Sequence, residues 1–139
     1  MLKLQLLHPE ILMALGSNGH GARILIADGN FPISTYTPAA CRKVFLNLSP
    51  GLLSVTDVLK VIKDYIAVET AIVMISPEDQ EQQPIHKEFQ EILGEKVALK
   101  HERRPAFYQE AKSEDTCLAI ATGDMRRFGN IILTIGSII

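Results

Sequence analysis

The sequence has no surplus of either charge: 14 Lys and Arg stand against 16 Asp and Glu, a formal net charge of −2. Binding to nucleic acid or to an acidic membrane surface needs a concentrated basic field, so the composition supports neither partner. Cysteine is scarce. Cys41 and Cys117 are the two present, far apart and without CxxC spacing. Both lie in or beside apolar segments, the pattern of buried thiols in a reducing compartment rather than of a disulfide or a metal site. No apolar run approaches the roughly 18 residues of a membrane-spanning helix. The opening MLKLQLLHPEILMALG is apolar but broken by Pro9 and Glu10, and it has neither the basic start nor the small-residue cleavage site of a signal peptide. Together these absences predict a cytoplasmic protein.

Familiar catalytic signatures are also missing. There is no GxGxxG after a strand and no GxxxxGK[ST], so a nucleotide-phosphate cradle has little support. There is no HExxH and no GxSxG elbow. His8, His20, His86 and His101 lack close metal-ligand spacing. Neither cysteine sits in an electropositive motif that would mark a nucleophile. Chemistry in this chain therefore has to come from ordinary polar side chains, with no metal and no cofactor implied.

What the sequence does contain is core. Of 139 residues, 47% are hydrophobic and 22% charged, enough for one domain over 1–139 with a sizeable interior. Pro9 and Gly16 bracket a short helix over 8–16. Apolar runs predict strands over 24–27, 43–48, 69–76, 97–101, 116–123 and 131–135, the 69–76 run covered on both faces. Between them, Ser54 and Asp57 open a helix in a capping-box variant, with Val55, Val58, Leu59, Ile62 and Ile66 on one stripe. A polar loop is expected over 77–83. Pro84 to Gly94 reads as another helix, and residues 103–111 as a helix entered through a basic loop. The turn at 126–130 would let the last two strands pair locally and antiparallel. No repeats or linkers appear. Strands alternating with helices predict an α/β fold, a central sheet flanked by helices.

The stretch at 19–32, GHGARILIADGNFP, is the most informative. A glycine-rich turn carries His20, a buried strand follows, and Asp28 ends it before Phe31-Pro32 turns the chain away. His20 and Asp28 are too far apart along one strand to be hydrogen-bonded neighbours. Facing one pocket, they would make a proton-transfer pair. Elsewhere, Arg103-Arg104, Tyr108 and Asn130 are neutral or cationic polar groups suited to holding hydroxyls, and each is equally well read as a solvated charge, core lining or a turn residue.

Three motifs in order, GHG-x-x-I-x-I-x-D-x-x-FP, RPAFY and the closing GNIIL-x-x-G, resemble the bacterial and animal fucose mutarotases, relatives of the ribose pyranases. The resemblance covers nearly the whole chain and is closer to the fucose branch. It implies an α/β fold assembled as pentameric rings, often paired into decamers, with sites at subunit interfaces. It implies interconversion of sugar anomers, most readily of L-fucose or a related pyranose, without metal or nucleotide. By motif, His20 and Asp28 match the catalytic pair, with Asp28 also holding sugar. Arg104, Tyr108, Asn130 and the position of Phe128 match substrate-binding residues. Three positions depart from the family pattern. Ala22 replaces an acidic residue, Phe128 replaces a tyrosine, and Thr134-Ile135 replaces a basic position. If the missing hydroxyl only binds sugar, its loss costs about 0.5–1.5 kcal/mol. If it relays a proton, the loss approaches the roughly 10²–10⁴-fold of general acid–base catalysis. A non-catalytic monosaccharide-binding relative and a ribose pyranase-type enzyme are therefore the alternatives to a mutarotase.

Overall fold

A computed structural model describes residues 1–76, 78 and 83–139. Ten elements follow in order: α1 (Pro9–Ser17), β1 (Arg23–Ala27), β2 (Arg42–Phe45), α2 (Val55–Ile62), β3 (Val68–Ile75), α3 (Pro84–Leu93), β4 (Ala98–Arg103), α4 (Arg104–Ala111), β5 (Thr116–Ala121) and β6 (Ile131–Ile135). The strands form one six-stranded sheet in the order β2-β5-β1-β6-β3-β4. The polar loop expected over 77–83 lies, apart from Glu78 and Gln83, outside the described residues. Among the described residues no helix is long and apolar enough to cross a membrane.

Side chains alternate across the sheet with a period of two, and each face builds its own core. Ile24, Ile26, Leu118, Ile120, Ile131 and Leu133 point to one face, where Ile11 of α1, Val58 and Leu59 of α2 and Phe89 of α3 cover them. Leu25, Ala27, Ala119 and Ile132 point to the other, packed against Phe107 and Ala111 of α4 and Phe31, Ile33 and Cys41 of the segment after β1. Three helices thus cover one face and one helix with a long loop the other. The capping box is present: the Asp57 N–H donates to Ser54 Oγ at 3.0 Å, and the Ser54 N–H to the Asp57 carboxylate at 3.2 Å. Both cysteines are free, and burial pushes the Cys41 thiol up to about 11, which disfavours its nucleophilic form.

Two expectations need correction. The last two strands do not pair with each other: β1 lies between β5 and β6, parallel to the first and antiparallel to the second. β6 also runs antiparallel to β3, while β2 pairs with β5 and β3 with β4 in parallel. A local turn permits a hairpin, but Ile24, Leu25 and Ile26 are fully buried only when they have a strand on each side. The second strand ends at Phe45 rather than at 48, because Leu46 to Ser49 turn toward the end of β5.

The topology decides where a site can form. β1 to β5 all run one way, so their carboxyl ends share one edge of the sheet. β6 runs against them, and its amino end reaches that same edge. Crevices at the carboxyl ends of parallel strands are where open α/β sheets hold ligands.

Candidate functional site

A small cleft of about 150 Å³ opens at that edge, lined by Asp28, Asn30, Phe31, Met74, Arg104, Tyr108, Arg126, Arg127, Phe128 and Asn130. Five residues singled out from the sequence meet there: Asp28, Arg104, Tyr108, Phe128 and Asn130.

Asp28 follows β1 directly, and Asn130 precedes β6. Because Ile26 pairs with Ile131, the continuation of that register past the strand ends brings Asp28 and Asn130 together, one position out of step. The Asp28 N–H donates to Asn130 Oδ1 at 2.8 Å, and Asn130 Nδ2 donates back to Asp28 Oδ2 at 3.0 Å. Asp28 Oδ1 accepts the Asn30 N–H at 2.9 Å. Both side chains are buried. Burial pushes the Asp28 carboxyl above its ordinary range, and the surrounding N–H groups and the Asn130 amide pull against that rise. A carboxylate tuned upward in a cleft is suited to exchanging protons as well as accepting hydrogen bonds. Gly129 leaves little room beside it: a Cβ there would stand 3.0 Å from the Arg126 carbonyl oxygen and 3.2 Å from Ile85 Cδ1, so a neighbour would have to give way by a few tenths of an ångström.

Arg104 begins α4, one residue past the end of β4, with Pro105 in the helix's first turn. Its guanidinium has no ion pair or hydrogen bond among the described residues, so it is available to a ligand. Tyr108, one turn on, packs against Phe31 at 5.1 Å and Tyr36 at 4.6 Å between ring centroids. Phe128 has φ +57°, a left-handed conformation unusual for a bulky side chain. Its ring lies under the Arg127 guanidinium at 4.9 Å.

His20 does not join this cleft within one chain. It precedes β1, whereas Asp28 follows it, and five residues at about 3.3 Å each separate the two edges by about 16 Å. The His20 side chain is 61% exposed and lies 3.4 Å from Glu69 Oε1, at the start of β3.

Sequence reasoning passed over Asn30, Phe31, Met74, Arg126 and Arg127 as lining residues. Arg126 and Arg127 were visible in the 126–130 turn, beside Phe128; Met74 had no signal beyond belonging to a buried strand. Asp124 was also passed over. Its carboxylate holds Arg126 through Oδ2 at 2.7 Å and Oδ1 at 3.0 Å and accepts the Val55 N–H at 2.9 Å. It thereby ties the wall of the cleft to the start of α2. Arg126 also pairs with Glu88 of α3.

The sequence matches the RbsD / FucU transport protein family over residues 1–138. The chain belongs to the RbsD/FucU family. It is 36% identical to a mouse fucose mutarotase, over 96% of this chain and 92% of that one. It is 32% identical to a D-ribose pyranase of Variovorax paradoxus, over 98% of each. The structure of Bacillus subtilis RbsD complexed with D-ribose superposes with a TM-score of 0.84 at 25% identity, covering 100% of both chains. This RbsD/FucU chain therefore keeps the family's fold, and its cleft is formed by elements from the beginning, middle and end of the sequence.

Proposed function

We propose that this RbsD/FucU chain is a sugar mutarotase that interconverts the anomers of L-fucose or a related pyranose by general acid–base ring opening and closure. One observation carries the reading: the buried Asp28–Asn130 pair opens onto a cleft that also presents the unpaired Arg104, in a chain 36% identical to a fucose mutarotase. A group of raised proton affinity, an amide, a phenol and a guanidinium match the hydroxyl-rich surface of a monosaccharide.

In the reaction, a base removes the proton of the anomeric hydroxyl while an acid protonates the ring oxygen. The C1–O5 bond breaks, the aldehyde forms and rotates, and reclosure gives the other anomer. Asp28 holds a sugar hydroxyl and takes part in proton movement. Arg104 holds hydroxyls or polarises the ring oxygen, Asn130 fixes orientation, and Tyr108 and Phe128 pack against the apolar parts of the ring. An imidazole is the side chain best suited to carrying a proton near neutral pH, which gives that role to His20. Since it sits at the far edge of its own sheet, His20 of the partner subunit completes the cleft. This agrees with a ring of five subunits, single or paired into ten. The exposed apolar side chains Phe45, Leu48, Leu52, Leu53 and Met125, on edge strand β2 and the loops at the cleft end, support such burial. The cytoplasm is the compartment that fits two free thiols.

Phe128 favours a second reading, a monosaccharide-binding relative without catalysis. NMR exchange spectroscopy on anomer-equilibrated L-fucose, with D-ribose, D-galactose and D-glucose beside it, separates the two. Exchange cross-peaks absent from His20→Ala are expected. Saturable binding with no exchange for any sugar would replace the mutarotase with a binding protein.

A further inference from the structure

We infer that His86 is a positioning residue for the reaction: its Nε2–H holds the Phe128 carbonyl and so fixes the left-handed turn that forms the cleft wall and leads into Asn130. The inference rests on the mutarotase reading above. His86 belongs to α3, on the other side of that wall from the ligand, and is completely buried. Its Nε2 lies 3.1 Å from the Phe128 oxygen. A carbonyl only accepts, so Nε2 carries a proton, and burial favours the neutral Nε2–H tautomer over the imidazolium. Nδ1 is buried without a partner among the described residues, which costs less as a bare lone pair than as a second N–H.

Phe128 needs such a hold. A bulky residue in the left-handed region is strained and persists only where its surroundings over-determine it. The turn is tied on one side by the Asp124–Arg126 pair and closed by the Gly129 N–H donating to the Arg126 carbonyl at 3.2 Å. The His86 contact is the tie at Phe128 itself, two residues before the amide that locks Asp28. Relaxation of the turn would move Phe128 and Asn130 together.

Protonation would place a charge and an unpartnered Nδ1–H in the interior. Burial, with the nearby ring of His101 on β4 at 5.8 Å, holds the imidazole below its ordinary pKa, although the Phe128 carbonyl pulls the other way. The other charged groups near this side of the turn, Glu88 on α3 and Arg126 and Asp124 beside Phe128, are engaged with one another. The neutral form is thus the one the fold favours, and the stability this gives is lost as pH falls from about 6.5, the unfolded value, toward the depressed folded value, while the Nε2–H bond to Phe128 is kept in either state.

The test compares three variants in the exchange assay, each with a thermal melt. Gln puts its amide nitrogen where His has Nε2, Asn puts it near Nδ1 and so falls short, and Phe fills the space without a donor. His86→Phe and His86→Asn should lose about tenfold or more in maximal rate, with a smaller change in KM, as expected for slight misplacement of reacting groups. His86→Gln should recover most of the rate, and its melting temperature should fall less than the wild type's as pH drops below about 6.5, because it has no buried group that resists protonation. If the Phe variant does not fold, the Gln and Asn pair decides: equal rates in those two overturn the inference. A fully active Phe variant beside an active wild type overturns it alone. A wild type inactive on every sugar removes the mutarotase reading and this inference together.

Discussion

Removing the Asn130 amide tests the centre of the site. Asn130→Ala deletes two contacts at once: the acceptor for the Asp28 N–H and the donor to the Asp28 carboxylate. Leaving a buried N–H without a partner costs about 1–3 kcal/mol, and a hydrogen bond to a charged group contributes about 1.5–3 kcal/mol. The two share one residue and do not add fully, so a net loss of about 2–4 kcal/mol is expected. For a chain of this length that lowers the melting temperature by about 8–15 °C. The loss also depends on pH. Burial already raises the folded Asp28 pKa above the ordinary 3.8, with the Asn30, Phe31 and Gly129 N–H groups and the Asn130 amide opposing the rise. Without the amide the folded value rises further. The folded state then binds more protons than the unfolded one between those two values, and stability falls as pH rises through that window. Urea melts at one protein concentration, near pH 7.5 and near pH 4.5, should show the larger penalty at the higher pH. A loss below about 0.5 kcal/mol, or the same loss at both pH values, would refute the reasoning, because it would mean that the pair neither buries nor tunes the carboxylate.

Other outcomes follow from the same geometry. His20→Ala and Asp28→Asn should each abolish anomer exchange, and refolding the two together should restore part of it, since mixed assemblies contain clefts with both groups intact; no recovery would rule out a shared site. At Asp124, burial opposes the charge, but the Arg126 guanidinium and the Arg126 and Val55 N–H groups outweigh it and hold the carboxyl below its ordinary value. Asp124→Asn should therefore cost about 1–3 kcal/mol near neutrality. That contribution fades in the wild type as pH falls through the depressed value, so the difference between the two proteins should shrink in acid melts. Gly123→Ala would bring a Cβ to 2.1 Å from the Leu52 carbonyl oxygen and 2.3 Å from that of Ser49. Backbone must shift to admit it, and a loss of about 3 kcal/mol or failure to accumulate as soluble protein is expected, measured by expression and melting.

Local signals were strong where local physics decides the outcome. Ser54 with Asp57 announced α2, because a capping box satisfies the helix's first N–H groups within four residues. Gly94, at φ +86°, ended α3 for the same kind of local reason. The motif around Asp28 located one wall of the cleft, since a carboxylate after a buried strand emerges at a sheet edge. His20 misled as a single-chain neighbour of Asp28. A glycine-rich turn can take many paths, but the Gly21 N–H bonds to the Ile135 carbonyl at 2.8 Å and holds this turn at the opposite edge. Arg126 was legible only as a charge in a turn. Its role depends on Asp124, Glu88 and Thr56, which reach it from three different parts of the chain.

The order of the strands was the least legible feature and the one on which the site most depends. The nine residues between β5 and β6 are compatible with a hairpin, and nothing nearby in sequence forbids one. Had they paired, Asn130 would have stood beside β5, with Asp28 across a strand from it. Instead β1 takes the place between them, and its register with β6 sets Ile26 against Ile131. That pairing carries residues 28 and 130 past the ends of their strands on the same side, close enough for two hydrogen bonds across 102 positions of sequence. The reason to insert β1 is its own composition: Ile24, Leu25 and Ile26 are completely buried, which requires a strand on each side and a layer on each face. The apolar run that made β1 easy to recognise is therefore also what builds the cleft, by drawing β6 to its free edge rather than leaving it to β5.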